Sequence, residues 1–251
     1  MKTYAAALLA VILCTAGARA QAADACAVPG YLLFGDSTLN RAARVVAKEK
    51  TLKIVVVGTA SSVLPGQDGV SNAYPARLEA ALKRRLPSVA ITVVSRTKPR
   101  QSAAEMSETL EKLLLDEKPN LVIWQSGTFD AMRGIDPEGF RASVADGVET
   151  LQTGGADVVL MNMQYSPRTE SVIALNPYAD NMRWVARERE VPLFDRLAIM
   201  RHWYDTGAID LYAATKDVGT AKRVHDCIGR ALASLIIDAA HLESFEGKAP
   251  Q

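Results

Sequence analysis

Histidine and cysteine are scarce in this chain. Its 251 residues hold three of each. No cluster of His, Cys, Asp and Glu has the spacing of a metal site, so neither a metal nor another cofactor is expected. Charge of one sign is lacking as well: 29 Lys and Arg stand against 28 Asp and Glu, a net charge of +1. Such a chain has no overall field to gather nucleic acid or an anionic membrane. It also has no basic stripe interleaved with aromatics, so nucleic acid is excluded as a partner. Beyond the N-terminal segment no apolar run reaches the ~18 residues of a membrane span.

The N-terminal segment reads as a leader. Lys2 supplies a positive charge, an apolar run extends over residues 4–14, and Ala18-Arg19-Ala20 is a small-x-small cleavage site before Gln21. This is the pattern of a signal peptide, residues 1–20, and it predicts a periplasmic or secreted protein. Cys14 does not make a lipobox, because the bulky Leu13 precedes it where a small residue is needed. Cleavage leaves Cys26 and Cys227, and an even pair in an exported chain predicts a disulfide. The chain as a whole has globular composition, 49% hydrophobic and 23% charged, and residues 21–251 are expected to form one domain.

Along that domain, short apolar runs alternate with helical patterns. Strands are predicted over 52–57, 89–94, 121–125, 158–163 and 192–194, with helices over 39–49, 75–86, 103–116, 140–152, 177–190 and 224–241. The run 52–57 is continuous and β-branched, as in a strand covered on both faces. Alternation of this kind predicts a three-layer α/β/α fold with a parallel sheet of about five strands. Ligands of such sheets sit beyond the carboxyl ends of the strands. The loops to inspect are therefore 58–69, 95–101, 126–134 and 162–168. Residues 21–25 and 243–251 read as loose ends.

Four blocks occupy or follow those loops. They are Gly58-Thr59-Ala60-Ser61-Ser62, Trp124-Gln125-Ser126-Gly127-Thr128-Phe129-Asp130, Met161-Asn162-Met163-Gln164-Tyr165-Ser166 and Met200-Arg201-His202-Trp203. Taken in this order, from about Cys26 to the last helix, the chain resembles the bacterial SGNH (GDSL-type) hydrolases. The resemblance implies acyl-ester hydrolysis by a serine nucleophile, with a glycine and an asparagine donating to the oxyanion and a late Asp-x-x-His supplying orienter and base.

Residue by residue, the catalytic positions do not carry over. Ala60 stands two after Gly58, where the serine belongs. Arg100, in Ser95-Arg96-Thr97-Lys98-Pro99-Arg100-Gln101, takes the place of the oxyanion glycine. Phe129 takes the place of the asparagine. Counting back from Cys227, the Asp-x-x-His pair falls on Lys216 and Gly219. The expected protein is a pseudoenzyme with a binding or accessory role in the cell envelope.

Its ligand crevice would be formed by Gly58, Ala60, Ser61, Arg100, Gln125, Phe129, Gln164 and Tyr165, with Thr128 among the polar groups and Lys98 and Arg100 charging the mouth. Such a rim suits an acidic glycan, a carboxylate or an acidic envelope protein. The alternative is an atypical active esterase of carbohydrate or lipid substrates, using His225 as base with Ser61 or with Ser37. Ser37 lies in a literal Gly35-Asp36-Ser37-Thr38-Leu39, and it also fits the N-cap of the helix that follows.

Overall fold

The computed structural model describes residues 24–212 and 217–247. The predicted leader, with Cys14 and the predicted cleavage site, lies outside them, as does Lys216.

The elements run in chain order. Helices α1 (Gly30–Leu33) and α2 (Asn40–Glu49) precede β1 (Thr51–Gly58). Helices α3 (Gly69–Asn72) and α4 (Tyr74–Arg85) lead to β2 (Ala90–Thr97), then α5 (Ala103–Ser107) and α6 (Leu110–Glu117) to β3 (Leu121–Gln125). Helices α7 (Thr128–Arg133) and α8 (Pro137–Thr153) precede β4 (Asp157–Met161). Helices α9 (Pro167–Glu170) and α10 (Asn176–Glu188) lead to β5 (Leu193–Phe194), followed by α11 (Arg196–Asp205) and α12 (Val218–Ala239).

The five strands pair in the order β2-β1-β3-β4-β5, all parallel. Helices α2, α4 and α12 pack on one face, and α5, α6, α8 and α10 on the other. This is the three-layer α/β/α fold, and its physical basis is visible in the strands. The β-branched run of β1 and the whole of β3 are buried, since a parallel strand covered on both faces must be apolar throughout. β2 departs from that rule. It is an edge strand, and most of its residues are partly or fully exposed.

Local signals set the helix starts. Ser102 and Glu105 form a reciprocal capping box on α5, and the carboxylates of Asp136, Asp195 and Asp217 accept N–H bonds at the starts of α8, α11 and α12. Three details differ from the sequence reading. The predicted helix over 103–116 is broken at Glu108-Thr109 into α5 and α6. Ser37 does not cap α2, whose N-cap is Leu39 with no side-chain bond. The C-terminal residues up to Gly247 are not loose: Glu246 pairs with Arg85, Gly247 N–H donates to the Arg85 carbonyl, and Lys50 lies 4.0 Å over the Phe245 ring.

Cys26 and Cys227 are joined in a disulfide with their α-carbons 5.0 Å apart. It ties the N-terminal arm to α12, and the Trp203 indole N–H adds a bond to the Ala27 carbonyl at 3.0 Å. Helix α12 in turn presses on α4 through Gly229. A Cβ there would sit 2.6 Å from Arg77 Cβ and 2.7 Å from the Leu78 nitrogen. Backbone cannot step aside as a side-chain tip can, so Gly229→Ala is expected to destabilise by about 1–3 kcal/mol. Urea unfolding checks this, and an unchanged midpoint would show that the two helices separate freely.

Candidate functional site

The carboxyl ends of the five strands open into one cavity of about 540 Å³, where a parallel sheet places its ligands. Ala60 and Ser61 line it after β1, Arg100 after β2, Thr128 and Phe129 after β3, and Gln164 and Tyr165 after β4. Arg196 lines it immediately after β5, and His225 enters from α12. Gly58 and Gln125 lie buried beneath. Lys98 is exposed and does not line the cavity, so Arg100 alone of the two carries charge to the mouth.

The floor is organised by Gln125, whose side-chain oxygen is a hydrogen-bond hub. It accepts from the Thr59 N–H at 3.1 Å and is within 3.2, 3.1 and 3.1 Å of the hydroxyls of Thr59, Ser61 and Ser62. The Thr59 N–H fixes which end of the amide faces this way, because only the oxygen can accept it. The closeness of the hub explains the glycine at 58. A Cβ there would fall 2.5 Å from Ser62 Oγ and 3.1 Å from the Gln125 oxygen.

These bonds decide the chemistry open to Ser61. Its hydroxyl donates to an amide oxygen, which takes up no proton at neutral pH, and its other neighbour is Arg196 Nη1 at 3.4 Å, itself a donor. A nucleophilic hydroxyl needs a base within about 3 Å, and neither neighbour is one.

The His225 ring is held by a backbone bond. Its Nδ1 accepts the backbone N–H of Tyr74 at 2.9 Å. That bond leaves the ring proton on Nε2, so neither nitrogen has a free lone pair for a serine proton. Burial, and then the nearby Arg196 charge, hold its pKa down at about 3, and the ring is neutral across the physiological range. The resemblance called for a base oriented by an aspartate, whereas this ring is held by a backbone N–H. The chain does contain one Asp-x-x-His, Asp238-Ala239-Ala240-His241, which alignment on Cys227 passes over. It stands at the far end of α12: His241 is exposed, and Asp238 lines a different cavity together with Asp157, the first residue of β4.

Ser37 lines that second cavity too. The two cavities share no lining residue, and no histidine lines the second. The structure thus brings Ser61 and His225 to one crevice and leaves Ser37 outside it.

Of the two positions that the resemblance assigned to oxyanion donors, one has a glycine-like backbone. Arg100 has φ 59°, in the left-handed region that glycine adopts freely. Phe129 puts a ring without a donor into the cavity wall. Asp130, next to it, is spent on structure, accepting the Ala103 N–H at 2.8 Å and helping to start α5. Asn162 is buried and does the same for α11. It accepts the Leu197 N–H at 2.9 Å and donates to Asp195 at 2.7 Å.

Sequence reasoning missed Arg196. The loops chosen for inspection ended with the fourth strand, yet Arg196 follows the fifth by two residues, and the strand-end rule reaches it once β5 is counted. Its side chain is 1% exposed. The guanidinium contacts the Ser61 carbonyl at 3.2 Å and the Gln164 side-chain oxygen at 3.4 Å, and lies 5.8 Å from the centre of the Tyr74 ring.

Residues 25–242 match the Non-GDSL lipase-like family. The chain belongs to that family. Solved structures share its fold at low identity. TesA is 21% identical with a TM-score of 0.55, covering 73% of this chain and 99% of its own. Axe2, an acetylxylan esterase from Geobacillus stearothermophilus, is 18% identical with a TM-score of 0.60, covering 74% and 94%. The psychrotrophic esterase EstA from Pseudoalteromonas sp. is 14% identical with a TM-score of 0.53, covering 73% and 96%. Catalytic mutants of Axe2 change a serine, an aspartate and a histidine. The divergent SGNH resemblance read from the four blocks is therefore correct. No curated protein sequence matches the chain.

Proposed function

We propose that this Non-GDSL lipase-like chain is an exported binding protein on an esterase frame, without ester hydrolysis. One observation carries the reading: among the described residues no serine of the crevice is paired with a base. Ala60 holds the nucleophile position, the Ser61 proton goes to Gln125, and the His225 ring is committed at Nδ1 to the Tyr74 N–H. Losing one oxyanion donor alone costs about a hundred- to a thousand-fold in turnover, and here the nucleophile and base are gone as well.

Export is supported by the leader pattern and by the Cys26–Cys227 disulfide, a bond that persists in oxidising compartments. Among the described residues no helix is long and apolar enough to cross a membrane. The partner is a molecule of the cell envelope, and the crevice at the strand ends is where it binds.

The purified protein is expected to hydrolyse short acyl esters at background rate and to take no label from a fluorophosphonate probe, which modifies activated serines. Ala60→Ser alone is expected to leave both results unchanged, because a new hydroxyl would still lack a base and the amide donor that Phe129 replaces. Robust turnover lost in Ser61→Ala, Ser37→Ala or His225→Ala would replace this reading with that of an atypical esterase and name its catalytic residue.

A further inference from the structure

We propose that the crevice binds a carboxylate carried on an apolar chain, with the carboxylate seated on Arg196. The inference rests on the crevice being a binding site, as proposed above, and supplies the ligand's chemistry.

Arg196 is the anomaly of the site. It is a buried guanidinium, yet among the described residues no carboxylate pairs with it. Its contacts are neutral, the Ser61 carbonyl and hydroxyl and the Gln164 amide oxygen at 3.2–3.4 Å, and Nε has no partner at all. Buried charges are ordinarily paired, because an unpaired one forfeits its hydration without compensation. Burial pulls the pKa of this guanidinium down to about 10, so it remains a cation at neutral pH.

The charge is not sealed off, since Arg196 lines the open cavity. A planar guanidinium matches a carboxylate in shape as well as charge. His225 lines the same cavity, and its ring proton is on Nε2.

The walls select the rest of the ligand. Leu64, Phe129, Met132, Met200, Leu211 and Val224 line the cavity around that single buried cation. A glycan needs hydrogen-bond partners along its length, whereas these side chains offer apolar surface to a hydrocarbon. The volume, about 540 Å³, lies within the ~300–1,000 Å³ range of small-molecule pockets. Of the acidic ligands that the sequence suggested, the structure favours a carboxylate with an apolar tail over an acidic glycan.

Calorimetric titration with four probes tests this. Decanoate has head and tail, decanol the tail alone, acetate the head alone, and an oligoglucuronate represents an acidic glycan. Decanoate is expected to bind at least tenfold tighter than any of the other three. Arg196→Met is expected to erase the advantage of decanoate over decanol while leaving decanol binding unchanged, and Arg196→Lys to restore part of it. Decanoate no tighter than decanol, or a preference that survives Arg196→Met, would overturn the assignment. Tightest binding by the oligoglucuronate would overturn it in favour of the glycan. The four-probe comparison on the unaltered protein tests the ligand chemistry even if Arg196→Met does not fold, and Arg196→Lys then tests the seat.

Ester turnover of the same preparation separates the two proposals. Turnover defeats the binding-protein reading whatever decanoate does. Absence of both turnover and decanoate binding defeats only the ligand assignment.

Discussion

Replacing Cys26 and Cys227 together by serine is expected to lower stability by about 4–5 kcal/mol. The disulfide spans 201 residues, nearly the whole described chain, so cutting it frees the unfolded ensemble from one very large loop closure. The entropic model makes the loss grow with the logarithm of loop length, and this loop is close to the longest the fold allows. The bond is also set into packing: Cys227 is fully buried in α12, and Arg230 one turn on contacts Cys26 Sγ and pairs with Asp24 at 3.1 Å. Guanidinium unfolding of the double variant, compared with the wild type with and without reductant, measures the effect. A loss below about 1 kcal/mol would mean that the denatured chain is already compact enough to hold its ends together.

Acidification should unfold the protein through His225. Free histidine titrates near 6.5, but in the folded chain burial holds this ring neutral down to about 3. Between those values the unfolded state binds a proton that the folded state refuses. Stability from this residue is therefore complete above pH 6.5 and is lost as pH falls toward 3, at up to about 1.4 kcal/mol per pH unit. From pH 7 to pH 5 the loss is about 2 kcal/mol.

The carboxylates of buried Asp130 and half-buried Asp157 have pKa values raised by desolvation and act with the opposite sign in acid. The histidine contribution is thus best read as a difference. His225→Asn keeps an oxygen to accept the Tyr74 N–H and removes the titration, so its stability should change less between pH 7 and pH 5. The slope is the measure, since loss of packing lowers the variant equally at both values. Equal slopes in the two proteins would show that His225 is protonated in the fold, and would reopen its use as an acid or base.

Much of the architecture was legible because it depends on local pattern. The β-branched run ending in Gly58 and the apolar run ending in Gln125 announce covered parallel strands, and in the structure they are neighbouring strands of the sheet. Ala60, Arg100 and Phe129 were placed by counting from such strand ends, and they meet in one cavity because β2, β1 and β3 are adjacent. The edge character of β2 was not legible. Its run of Ile, Val and Val resembles the others, and only its position beyond β1 leaves one side without a partner strand.

The sequence by itself determined the α/β alternation, the cysteine pair available for a disulfide and the loss of the expected serine at Ala60, since each is a matter of residue identity or short-range spacing. Tertiary structure alone decided what the remaining polar groups can do. Ser61 reads as a possible nucleophile until Gln125, 64 residues away, is seen accepting its proton. His225 reads as a possible base until the Tyr74 N–H, 151 residues away, is found on Nδ1. Arg196 reads as an ordinary surface cation until the fold buries it without a carboxylate. Hydrogen-bond partnership and desolvation are properties of neighbours brought together from distant parts of the chain, and no local pattern encodes them.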